Sequence, residues 1–75
     1  MHVKVFTPAR TVYDGEAKSV FMPGDRGEFE ILDYHAPIMS LLRAGEVTID
    51  WQTRIPLKKG IVKFDQNECV ILVDE

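Results

Sequence analysis

The sequence predicts an all-β domain of the sandwich or barrel type. Apolar residues recur with period two in segment after segment, and turn-forming residues part these segments at short, fairly regular intervals. At 75 residues the chain is one domain, 1–75, near the low end of sizes that fold without staples. Its 45% hydrophobic content and interspersed charges argue against disorder.

Taken in order, Val3 and Val5 share one face of a first strand. After Thr7-Pro8-Ala9-Arg10, the segment Thr11-Val12-Tyr13 meets Asp14-Gly15, which predicts a two-residue hairpin turn leading into Glu16 to Met22. Pro23 to Gly27 is a loop by composition. Beyond it, Glu28-Phe29-Glu30-Ile31 places two carboxylates on one face of a strand and two apolar side chains on the other. Pro37, Gly45 and the spacing of Ile38, Leu41 and Leu42 would also suit a short helix, so pattern alone leaves 38–42 open. Glu46 to Trp51 alternates cleanly, with Val47, Ile49 and Trp51 expected inward. Shorter strands follow at Arg54 to Leu57 and Ile61 to Phe64. Asp65-Gln66-Asn67 turns the chain into a last strand, whose run Cys69 to Val73 is apolar at every position and predicts cover on both faces.

Charge and chemistry exclude several classes of function. A formal net charge of −3, with no basic run longer than Lys58-Lys59, offers no stripe for nucleic acid. The longest apolar run is far short of the roughly 20 residues of a membrane-spanning helix, and the amino end alternates like a strand without the apolar block of a signal peptide. The single cysteine, Cys69, behaves as a core hydrophobe and suits a reducing compartment. Glu28 and Glu30 could form a catalytic carboxylate pair, but alternating glutamates are the usual wet side of a strand. A His35–Cys69 nucleophilic pair lacks a third orienting residue. One cysteine and two distant histidines give no metal-ligand spacing, and Gly24 to Gly27 lacks the Lys-Ser/Thr of a phosphate loop. No catalytic residue, cofactor or metal is expected. The loops 23–27 and 33–37 remain as candidate contact surfaces, as a freestanding β-sandwich adaptor or ligand-binding module would also use them.

Thr7-Pro8, Val12 to Glu16, Ser19-Val20, Pro23-Gly24, Gly27-Glu28-Phe29, Ile31-Leu32, His35-Ala36-Pro37, Gly45, Gly60 and Ile71 to Glu75 form an ordered set over nearly the whole chain. In that order and spacing the sequence resembles the epsilon subunit of F-type ATP synthase, the counterpart of mitochondrial delta. The resemblance implies the amino-terminal domain of that family, a flattened β-sandwich of about ten short strands, with 38–42 extended. It implies a non-catalytic rotor subunit at the foot of the central stalk, peripheral to the cytoplasmic face of an energy-transducing membrane, which joins the gamma subunit to the membrane rotor ring. The ring-facing loop of the family matches Arg26, Gly27, Glu28 and Phe29, with Glu28 as the carboxylate offered to the ring. The gamma-facing segment matches His35, Ala36, Pro37, Ile38 and Met39. Two departures stand out: Asp33-Tyr34 replaces the usual Pro-Gly before His35, and Lys59-Gly60 replaces a glycine pair. The family's carboxy-terminal helical hairpin has no counterpart before Glu75, so neither hairpin-type inhibition nor a nucleotide site is expected.

Overall fold

In β1 (His2–Phe6) Val3 and Val5 are fully buried while His2 and Lys4 face water, the outcome that period-two spacing dictates. The computed structural model, which describes residues 1–75, continues this pattern through β2 (Thr11–Glu16), β3 (Ser19–Gly24), β4 (Gly27–Leu32), β5 (Ile38–Leu42), β6 (Gly45–Ile49), β7 (Thr53–Leu57), β8 (Lys59–Asp65) and β9 (Glu68–Asp74). Nine strands and no helix bear out the all-β class, and 38–42 is a strand.

The strands run in the order β2-β1-β9-β8-β5-β3-β6-β7, with β4 beside β3. β5 meets β3 only at Leu42 opposite Gly24, and there the sheet curls over on itself. The two halves face each other across one core. Val3, Val5, Val62, Phe64, Cys69 and Ile71 come from the first half and Val20, Met22, Ile31, Val47, Ile49 and Ile55 from the second. β1 and β9 pair in parallel, so the first and last strands lie side by side in the middle of the first half.

Several expectations are corrected. Asp14 and Gly15 do not turn the chain; they sit within β2 opposite Lys4 and Val3, and Gly15 has no positive φ. The reversal comes at Thr7 to Arg10, where the Thr7 hydroxyl oxygen accepts from Ala9 N–H and Arg10 N–H, both at 3.1 Å. The 23–27 loop is shorter than its composition suggests, because Pro23 and Gly24 complete β3 and only Asp25 and Arg26 reverse the chain. Trp51 is 64% exposed, not inward, because Asp50 (φ 51°) and Trp51 (φ 59°) form the β6–β7 reversal in left-handed conformations. β9 is buried on one face only. Cys69, Ile71 and Val73 enter the core, whereas Val70 and Leu72 lie on the outer surface.

Candidate protein interface

The β3–β4 hairpin is shaped by its glycines. A Cβ on Gly24 would come within 2.6 Å of the Phe29 ring and 2.7 Å of the Gly27 carbonyl oxygen, so only glycine lets Phe29 fold under the turn. Gly27 supplies the φ of 132° that opens β4. Two backbone bonds lash this hairpin to the end of β5, Asp25 N–H to the Leu41 carbonyl and Arg43 N–H to the Pro23 carbonyl, each 2.9 Å. A fixed turn results, with Asp25 and Arg26 exposed at its tip and Glu28 exposed beside it.

Between this hairpin and β5 runs a groove of about 540 Å³. Arg26, Gly27, Glu28 and Phe29 line one wall, and Ile38 and Met39 belong to the other. Two segments picked from separate parts of the sequence therefore share one surface. His35, Ala36 and Pro37 are exposed but lie at the far end of β5, outside that groove. There the His35 Nδ1–H donates to the Ala36 carbonyl at 2.7 Å, and the ring stands edge-on to Phe64 at 6.0 Å. Pro37 joins Ile38 and Met39 in a shallower pocket against Lys63 and Phe64.

Glu30 is not part of an open carboxylate pair. It is half-buried, and its Oε2 accepts from the Ser19 hydroxyl and, at 3.0 Å, from the Trp51 indole N–H. No group of three or more His, Cys, Asp or Glu side chains is placed to hold a metal ion. Cys69 is fully buried, and burial pushes its thiol up to about 12. Such a thiol is a poor nucleophile.

Sequence reasoning missed one surface. The pairing registers set Phe6, Leu72, Ile61 and Leu41 in a row across β1, β9, β8 and β5 on the outer face. Leu41 is 60% exposed, and a groove of about 650 Å³ opens along Leu41, Ile61 and Leu72 toward Pro8. The signal was present in Val70 and Leu72, since a strand with one wet face needs no apolar residues there.

The whole chain, residues 1–75, matches the family model of the ATP synthase, Delta/Epsilon chain, beta-sandwich domain. The chain belongs to that family. It is 36% identical over 78 residues to the ATP synthase epsilon chain of Campylobacter fetus subsp. fetus, covering 99% of this chain and 60% of that protein. Against the chloroplastic epsilon chain of Guillardia theta the identity is 35%, covering 99% of this chain and 59% of the relative. The chain thus spans about three fifths of the length of these relatives. Among solved structures, the fold is similar to a chain of the Tetrahymena thermophila mitochondrial ATP synthase central stalk and c-ring, with TM-score 0.79, 18% identity, and 99% and 63% of the two chains covered. A chain of the Euglena gracilis mitochondrial ATP synthase gives TM-score 0.83 at 13% identity, over 97% and 49%. At these identities the likeness is one of fold, and it places this delta/epsilon-type sandwich on an architecture that tolerates wide sequence change.

Proposed function

We propose that this delta/epsilon-type domain is a non-catalytic coupling piece of an F-type ATP synthase rotor, joining the gamma subunit to the membrane ring so that ion-driven rotation reaches the catalytic head. The observation that carries this is the groove in which Arg26 to Phe29 and Ile38-Met39 meet, because it puts a charged turn and an apolar strand edge on one stiff support. In this proposal Glu28 meets polar loops of the ring, and His35 to Met39 meet gamma. Leu41, Ile61 and Leu72 extend the gamma contact as an apolar centre with a charged rim. Torque transmission suits such a body, since many contacts spread over a close-packed sandwich yield less than one flexible tether. In this proposal the domain sits at the cytoplasmic side of the membrane only through the complex.

The test is coexpression with gamma and the ring from the same organism, followed by size-exclusion chromatography. The wild-type chain is expected to elute with both. Glu28→Lys is expected to lose the ring by at least tenfold in apparent affinity while keeping gamma and an unchanged circular dichroism spectrum. Independent elution of the folded wild-type chain from gamma overturns the proposal, and ring retention by Glu28→Lys overturns the role given to that carboxylate.

A further inference from the structure

Every non-glycine residue with positive φ lies in a loop at one end of the sandwich, the end opposite the Asp25-Arg26 turn: Tyr34, Asp50, Trp51, Gln66 and Asn67. Left-handed conformations are costly for side chains other than Asn, Asp or Gly, and such strain gathers where a loop must present a group in a fixed pose. Two of these five are exposed aromatics. Tyr34 is 83% exposed and Trp51 64%, with half-exposed Leu32 ending the neighbouring strand.

Trp51 is nevertheless held firmly. Asp50 Oδ1 accepts from Lys18 N–H at 2.7 Å and Ser19 N–H at 3.1 Å, and Asp50 N–H donates to the Ser19 carbonyl at 2.8 Å, which fastens the reversal to the start of β3. The indole N–H then donates to Glu30 Oε2, which the hydroxyl of fully buried Ser19 holds from the other side. Both bonds fall on Oε2. Glu30 Oε1 has no hydrogen-bond partner within the chain and is not among buried unsatisfied atoms, so it reaches solvent. The result is a fixed, water-exposed indole with a carboxylate oxygen at its edge.

An aromatic face attracts cations, and a carboxylate beside it adds a charge-assisted acceptor suited to guanidinium. Toward this end Glu16, Glu30, Asp33, Asp50, Asp65 and Glu68 stand against Lys18, Arg54, the partly exposed His2 and the amino-terminal ammonium, which pairs with Asp33. Arg54 shares the outer cross-strand row of Glu30 through Phe21 and Thr48, so the acidic excess is small. We propose that the Trp51–Glu30 pair anchors an arginine from a basic segment of a partner protein. This surface lies away from the Arg26–Phe29 turn, and it stands or falls independently of the ring and gamma assignments. A rigid tryptophan with a charged neighbour has the make-up of an interface hot spot, and the free Glu30 oxygen at the indole edge favours a guanidinium there.

Trp51 is the sole tryptophan, so its emission reports the site directly. The chain is titrated at low salt with a nona-arginine peptide carrying a fluorophore, reading Trp51 emission and peptide anisotropy together. Saturable changes in both are expected, with nona-glutamate giving neither. Glu30→Gln keeps an acceptor for Ser19 and the indole but removes the charge, and is expected to weaken binding about tenfold with unchanged circular dichroism. Glu68→Gln, on the outer face of β9, is expected to stay within twofold of the parent. Peptide binding that leaves Trp51 emission unmoved, equal affinity in Glu30→Gln, or equal losses in Glu30→Gln and Glu68→Gln would each overturn the proposal.

Discussion

Two glycines show how far a residue's environment outweighs its local signal. Asp14-Gly15 has the composition of a type I′ turn, yet β1 pairs across it without interruption, and His2 Nε2 meets the Asp14 carboxylate at 2.7 Å over that pairing. A Cβ on Gly15 would find only the Tyr13 ring, at 3.5 Å or more. Gly60 is the reverse case, since a Cβ there would come within 2.6 Å of the Leu72 carbonyl oxygen, which is backbone and cannot step aside. Gly60→Ala is therefore expected to lose about 1–3 kcal/mol in urea unfolding. Gly15→Ala should stay within about 0.5 kcal/mol of the parent or gain slightly through the unfolded chain. A loss above that size in Gly15→Ala would mean a turn conformation there after all. Gly60, not the neighbouring Lys59, is thus the position that the backbone approach reserves for glycine.

Among the elements, alternation located most strands because burying one face is what makes a strand worth forming. It failed where a strand ended. Val47 and Ile49 enter the core as spacing requires, but two residues on the chain has already reversed, and Trp51 takes the outer side to reach Glu30. No periodicity could announce this, since the bond joins residues from different hairpins. The β6–β7 reversal depends on Asp50 twice, as a residue tolerant of left-handed φ and as an acceptor for the N–H groups of Lys18 and Ser19, where the β2–β3 connection enters β3. Asp50→Ala is expected to cost about 1–3 kcal/mol by leaving those donors unpaired. Asp50→Asn retains an oxygen acceptor and should cost less. Thermal unfolding of both variants checks the order, and equal midpoints would remove the capping role.

At the scale of the molecule, the core joins both halves of the curled sheet, and Cys69 sits within it. Burial raises its pKa from 9.0 to about 12, so between those values the unfolded chain gives up a proton that the folded chain keeps. Stability linked to this thiol is complete below pH 9 and falls as pH rises, by up to about 1.4 kcal/mol per pH unit. Urea unfolding at pH 8 and pH 10.5 should show a steeper alkaline loss in the parent than in Cys69→Ala, and parallel slopes would contradict the buried thiol. The sequence alone determined the all-β class and most strands, because one-sided burial and turn chemistry are written locally, and its ordered motifs carried the family resemblance from which the proposed interface segments are drawn. Tertiary structure decided what depends on strands distant in the chain: where the sheet curls, that Arg26 to Phe29 and Ile38-Met39 share a groove, that Val70 and Leu72 face outward, and that Trp51 leaves the core for Glu30. Those outcomes follow from cross-strand register and from hydrogen bonds between separate hairpins, and neither has a period that a linear pattern can carry.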